Sequence, residues 1–226
     1  MVARWLDRRE RVDALLETLP RTVTGVDRAR CQHLLFGVVR HFGRLDAALG
    51  RLIAHPPRFT TRAILLLAGF ELIESGQDTG RTAKTVHHAV ERTKSMASPA
   101  EAKLVNAVVR KLATTLLREP PAASATATEL AEYFSHPEWL IKRWQSQFGA
   151  EATRSLLEWN QQPATIYARW RGDQSTLPTL LKTTPWPDFF EVPSGHWTQI
   201  EPCLTSGQLY LQDPATRIPV ELLAPQ

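Results

Sequence analysis

The sequence predicts a mainly α protein in which a helical bundle leads into a small α+β module. Three observations carry that expectation. Apolar residues recur at three- and four-residue spacing through the first half, an unpatterned Pro/Ala/Ser/Thr stretch interrupts near residue 120, and short β-prone runs bounded by Pro and Gly fill the last third. A chain of 226 residues has material for two modest domains with separate cores. We expect an all-α domain over 1–119, a linker over 120–134 and an α+β module over 135–226.

Val12, Leu15, Leu16 and Leu19 share one helical face, and Pro20 ends that helix. Cys31, Leu34, Leu35, Val38, Val39 and Phe42 repeat the spacing in a second helix. A third runs from about Leu45 to Ala54 and stops before Pro56-Pro57. Ile64-Leu65-Leu66-Leu67-Ala68 is apolar nearly all round, the pattern of a central bundle helix. Ser98, Pro99 and Glu101 give the last helix of this domain a cap, a first-turn proline and a capping-box carboxylate. Its buried stripe is Ala102, Val105, Val109, Leu112, Ala113 and Leu116, with Asn106 tying the stripe to a neighbour.

Glu119 to Thr128 is small or polar throughout and marks the linker. Ser135 and Glu138 then read as a second capping box, followed by an apolar face of Trp139, Leu140, Trp144 and Phe148. Gly149 ends that helix, and another spans Glu151 to Trp159. Ala164–Trp170, Phe189–Val192 and Gln208–Gln212 read as strands, with a helix from Leu177 to Lys182 between the first two.

Charge is unevenly divided. Residues 1–119 hold 20 Lys/Arg against 12 Asp/Glu, a balance of +8, whereas residues 120–226 hold 7 against 11, a balance of −4. Such a block fits a polyanionic partner, since basic side chains near phosphates release condensed counterions. An ordinary solvated helix surface fits it too. Cys31 and Cys203 lie far apart with no Cys/His cluster, so neither a disulfide framework nor a zinc site is expected. The longest apolar run, Ala63 to Ile73, is far shorter than the roughly 20 residues of a membrane span, and the N-terminus lacks the apolar core of a signal peptide. A cytoplasmic protein without membrane or metal partners is expected.

The run Ser135-His136-Pro137-Glu138-Trp139-Leu140-Ile141-Lys142-Arg143-Trp144, together with Leu209-Tyr210-Leu211-Gln212-Asp213-Pro214, resembles the region before the catalytic domain in the Fmu/Sun family of ribosomal RNA cytosine-5 methyltransferases. Residues 1 to about 119 resemble the NusB-like domain that these enzymes carry upstream. The resemblance implies a NusB-like helical bundle followed by a pre-catalytic module, with ribosomal RNA as partner. In the family a Rossmann-like domain that binds S-adenosylmethionine comes next, whereas here the sequence given ends at Gln226. The expectation is therefore a targeting region without its catalytic domain, itself inactive and without cofactor. The family's Arg-x-Asn pattern reads Arg169-Trp170-Arg171 here.

The residues themselves offer no catalytic constellation. The glycines are scattered without a Gly-x-Gly-x-x-Gly, and Cys203 sits in what reads as a loop. His87 and His88 are adjacent, so on a helix they diverge by about 100° and chelate one ion poorly. His136, before Pro137, reads as shaping a helix entry. Candidate RNA contacts are Arg8, Arg9 and Arg11 at the start, Arg40 and Arg44 on the second helix, and Arg110 and Lys111 on the last. The resemblance adds Arg169. Each of these also fits a surface that merely keeps the protein in solution. Two further readings remain open: a stand-alone NusB-like RNA-binding or antitermination factor, and a helical scaffold for other proteins.

Overall fold

A computed structural model describes residues 1–23 and 25–223. The chain divides into two compact units, Met1–Gln161 and Gln162–Gln226. The first contains α1 (Val2–Arg8), α2 (Val12–Glu17), α3 (Gly25–Arg40), α4 (Phe42–Leu52), α5 (Phe59–Ser75), α6 (Thr79–Met96), α7 (Pro99–Thr115), α8 (Ala127–Phe134) and α9 (Glu138–Asn160). The second contains β1 (Ile166–Trp170), β2 (Lys182–Thr183), β3 (Phe189–Val192), α10 (Trp197–Thr205), β4 (Leu209–Leu211) and α11 (Arg217–Leu223). A mainly α fold with a small α+β module is thus what forms.

The hub of the bundle is α5, whose Leu65 and Leu66 are fully enclosed and whose Ala63, Ile64, Ala68, Phe70 and Leu72 are also buried. It packs on α1, α3, α6 and α7, as an all-round apolar helix must. Gly37 of α3 sits against it so closely that a Cβ there would lie 2.1 Å from Phe70 Cζ. Ser98 caps α7 by accepting from the Glu101 amide at 3.3 Å. The Glu101 carboxylate turns instead to Arg58, whose Nε donates to it at 2.8 Å.

The predicted second helix does not continue through Phe42. It breaks at His41 (φ −99°, ψ 12°), and Phe42 opens α4. His41 stacks on Phe70 with ring centroids 5.6 Å apart, and its Nδ1 has no hydrogen-bond partner among the described residues. Burial, with the neighbouring Arg44 and Arg40 charges, lowers its pKa from 6.5 to about 4.

The stretch 120–134, expected as a linker, is irregular only to Thr126; from Ala127 it is α8 and lies within the first unit. The capping box belongs here. Thr126 Oγ1 accepts from the Glu129 amide at 3.2 Å, and the Glu129 carboxylate accepts from the Thr126 amide at 2.8 Å. Leu130, Tyr133 and Phe134 are buried, each side chain contributing about 1.5–3 kcal/mol. That burial outweighs the low periodicity of the preceding segment. Glu132 of α8 is gripped by both Arg51 of α4 and Arg118. Burial disfavours its ionisation, but the hydrogen bonds from Arg118 and Arg51 outweigh that and hold the carboxyl below its usual range.

Ser135 is not a helix N-cap. It has left-handed φ/ψ (56°, 39°) and ends α8, and Pro137 precedes α9. The shift rotates the buried stripe of α9 onto Ile141 and Leu157, so Trp139 and Phe148, expected inside, are 65% and 56% exposed. Gly149 (φ 81°, ψ 170°) interrupts α9 as the sequence suggests. His136 joins the two ends of that helix pair, its Nδ1 2.6 Å from the Phe134 carbonyl and its Nε2 3.2 Å from Asn160 Nδ2.

The second unit is an antiparallel sheet in the order β2-β3-β1-β4, with α10 against one face. Ala168 and Trp170 of β1 face the core with Phe190, Val192, Leu209 and Ile200. The helix expected over Leu177–Lys182 is absent. Asp173 caps a short 3-10 turn, Gln174–Thr176, and Pro178 disfavours helical φ/ψ at Leu177, so the chain leaves helical geometry there and reaches β2 through a single turn in which the Leu181 amide donates to the Pro178 carbonyl at 3.1 Å. Cys203, expected in a loop, is in α10 and packs on the core.

Because the folded pKa of His41 lies below its unfolded value, the unfolded chain takes up the proton first. Stability is full above about pH 6.5 and is lost progressively as pH falls toward about 4. Thermal unfolding followed by circular dichroism should show the first unit losing about 2 kcal/mol, or roughly 4–8 °C, between pH 7.5 and pH 5. In His41→Phe most of that loss should vanish, and a pH dependence equal to the wild type would refute the assignment.

Candidate nucleic-acid interface

Long basic side chains mark a phosphate-binding surface only where they are exposed and not already paired with carboxylates. Of the eight candidates, Arg44 fails outright. Its side chain turns inward between α4, α7 and α8, is 8% exposed, donates from Nη2 to the Leu116 carbonyl at 2.5 Å and lies 4.0 Å over the Tyr133 ring. Its backbone amide also donates to Ser135 Oγ at 3.0 Å. The sequence places Arg44 one turn after Arg40 and so on an RNA-facing surface, but the break at His41 puts the two on different helices.

The N-terminal cluster is largely neutralised within itself. Arg11 pairs with Asp13 at 2.5 Å, and Arg8 lies 3.6 Å from Asp7 and 3.9 Å from Glu10. Arg9, in a left-handed conformation that ends α1, stacks its guanidinium 4.7 Å from the Trp5 ring. Arg40 has no carboxylate partner among the described residues, but it is half-buried, and burial lowers its pKa.

Arg110 and Lys111 are different. Both are exposed and neither makes an ion pair among the described residues; Arg110 Nε donates to the neutral Asn106 at 3.1 Å. Asn106, expected to tie the stripe to a neighbour, instead serves this arginine one turn on. Arg110 also lines a shallow cavity of about 340 Å³ with Thr79, Thr82, Ala83 and Val86 from the first turns of α6. Sequence reasoning does not single out that neighbour, α6. Its Arg81, Lys84, His88 and Arg92 follow one another at three- and four-residue spacing on the side away from Val86, Ala89 and Thr93, which are buried. That spacing is the available signal, hidden because the buried stripe is built from Thr, Val and Ala rather than Leu.

Over residues 79–115 the α6–α7 hairpin carries seven Lys/Arg and two Asp/Glu. Both carboxylates are already engaged, Glu91 by Lys94 at 2.6 Å and Glu101 by Arg58. The remaining cations, Arg81, Lys84, Arg92, Lys103, Arg110 and Lys111, are exposed and unpaired among the described residues. These six uncompensated cations are carried by two helices anchored to the core through Val86, Val105 and Leu112. In the second unit Arg169 is exposed on β1, opposite Tyr210 of β4 and Phe189 of β3. Among the described residues no three His, Cys, Asp or Glu side chains converge as a metal site would require, and no helix is long and apolar enough to cross a membrane.

The NusB family model matches residues 1–114, and a second, described as a methyltransferase RsmF/B-like ferredoxin-like domain, matches 136–182. Ribosomal RNA small subunit methyltransferase B from Citrobacter koseri is 26% identical, aligning with 94% of this chain and 51% of its own length. The proteins of the same name from Salmonella arizonae and Salmonella typhi are each 28% identical over the same shares. The chain thus spans about half the length of these relatives. A crystal structure of PH0851 shares the fold, with a TM-score of 0.59 at 14% identity over 90% of this chain and 48% of that one.

The inward turn of Arg44 separates stability from binding. Arg44→Ala should destabilise the first unit by about 2–4 kcal/mol, because it leaves the Leu116 carbonyl unpaired and empties the space over Tyr133. Urea unfolding measures this. A change under about 0.5 kcal/mol, the range of an ordinary surface substitution, would place the side chain outside this packing.

Proposed function

Because the chain belongs to the NusB family and runs on into an RsmF/B-like ferredoxin-like domain, we propose that it is the RNA-binding N-terminal region of an S-adenosylmethionine-dependent ribosomal RNA cytosine-5 methyltransferase. It acts in the cytoplasm by positioning small-subunit ribosomal RNA for methylation. The observation that carries this reading is the α6–α7 hairpin, with six exposed cations unpaired among the described residues. Phosphate contacts from such side chains fix the register of an RNA without reading its bases. Arg110 and Lys111 stay in the proposed contact set, joined by Arg81, Lys84, Arg92 and Lys103, and Arg169 contributes from the second unit.

The described residues do not fit S-adenosylmethionine itself. Every strand pair is antiparallel, and no strand passes through a glycine-rich turn into a helix, the arrangement that cradles a nucleotide cofactor. No bond-making step is therefore assigned to these side chains. Their work is to bind and orient.

The test is fluorescence anisotropy with a structured fragment of small-subunit ribosomal RNA across a salt series. Affinity should fall steeply with salt, and the combined Arg81→Ala, Lys84→Ala, Arg110→Ala, Lys111→Ala variant should bind more weakly. Its log–log salt slope should flatten by about 0.7–0.9 for each phosphate that is no longer neutralised. Unchanged affinity in that variant, with an unchanged circular dichroism spectrum, would return the hairpin to the role of solvated surface.

A further inference from the structure

The sheet of the second unit has two unlike faces. One is covered by α10 and holds the core. On the other, register places Tyr167 beside Glu191, and Arg169 between Phe189 and Tyr210. Tyr167 and Tyr210 are diagonal neighbours on adjacent strands, about 7–8 Å apart. Phe189 is enclosed beneath this layer, with the Arg169 guanidinium 5.9 Å from its ring, and Tyr210 is 44% exposed.

Around these rings the chain is held in place. Trp186 meets Tyr167 edge-on at 5.7 Å from the turn between β2 and β3. That turn is braced by Thr184, whose hydroxyl donates to the Phe189 carbonyl at 2.7 Å and lies 3.2 Å from the Trp186 amide, and by Asp188 in the left-handed region (φ 64°). Arg171 lies 5.4 Å from the Tyr210 ring. The charges on this face are unequal in standing: Lys182 is neutralised by Glu191 at 2.9 Å, whereas Arg169 and Arg171 have no carboxylate partner among the described residues. They are uncompensated cations in a unit whose overall balance is acidic, with four Lys/Arg and six Asp/Glu over residues 162–226.

We propose that this face is a stacking platform for single-stranded RNA, with Tyr167 and Tyr210 each taking the flat of one base and Arg169 and Arg171 taking the phosphates that join them. Resting on the RNA-binding reading above, it adds the kind of RNA engaged and the residues that engage it. A duplex hides the faces of its bases, so an exposed Tyr210 ring and a half-buried Tyr167 ring interleaved with arginines suit splayed nucleotides. The platform and the hairpin then divide the work: the hairpin holds folded RNA by its phosphates, and the sheet holds an unpaired segment by its bases.

Anisotropy of the full chain with fluorescein-labelled octauridine and with a duplex RNA of about 16 base pairs tests this. Tyr167→Ala and Tyr210→Ala should each weaken octauridine binding by about five- to tenfold and leave duplex binding within about twofold, whereas Tyr167→Phe and Tyr210→Phe, which keep the rings, should bind nearly as the wild type does. Octauridine affinity unchanged in the double alanine variant, with native circular dichroism, would overturn the proposal. So would loss of self-association in that variant at unchanged octauridine affinity, since the face would then be a contact between copies of the chain. If octauridine binding depends on the hairpin cations but not on the tyrosines, the platform falls and the RNA-binding reading stands. If no RNA binds at all, both fall.

Discussion

The first unit depends on one buried cation. Arg44 points into the junction of α4, α7 and α8, where its guanidinium closes the end of α7 through the Leu116 carbonyl and supports the Tyr133 ring from below. A charge so placed is costly to bury, and burial lowers its pKa; the nearby Tyr133 ring works against that shift. Its Nε has no hydrogen-bond partner among the described residues. The arrangement persists because the alternative is worse: without the Arg44 guanidinium, the Leu116 carbonyl and the Tyr133 ring lose a shared organiser. Through that junction α8 becomes an extension of the bundle, and the peptide that leaves α7 is drawn back against α4.

Arginine thus serves two opposite ends in this chain. Where guanidinium groups meet carboxylates, as in Arg58 with Glu101 or Arg51 and Arg118 with Glu132, they tie elements together and have little attraction left for an outside anion. Where α6 and α7 turn to solvent, cations outnumber carboxylates and the few carboxylates are already engaged. Net charge alone does not separate these cases. The local ratio of cations to free carboxylates does, because the field felt by an approaching phosphate is set within roughly 8–10 Å.

Much of the architecture is legible in the sequence. The all-round apolar run of α5, the Ser98 cap and the break at Gly149 each have one physical reading, and each forms as read. The resemblance carried by Ser135–Trp144 is in keeping with the RsmF/B-like ferredoxin-like domain model that matches residues 136–182, and that of the first half with the NusB family model over 1–114. What sequence alone does not carry is context. Residues 127–134 look like linker continued until Arg44, Arg51 and Arg118 give α8 something to hold. Ser135 and Glu138 match a capping pattern by spacing, yet the backbone at Ser135 is left-handed and unfit to start a helix. Arg40 and Arg44 are four apart in number but are divided by a break at His41, which is itself neither Pro nor Gly.

The clasp around α8 has a further consequence, in time rather than in space. Its partners are remote along the chain: Arg44 and Ser135 are separated by 91 positions, Arg51 and Glu132 by 81. None of these bonds can form until α4 and α7 have already met around α5, since closing so long a loop gains nothing before its anchors exist. Docking of α8 is therefore a late step on the folding path and its release an early step in unfolding. A folding transition state indifferent to truncation of Tyr133 is the kinetic signature of that order.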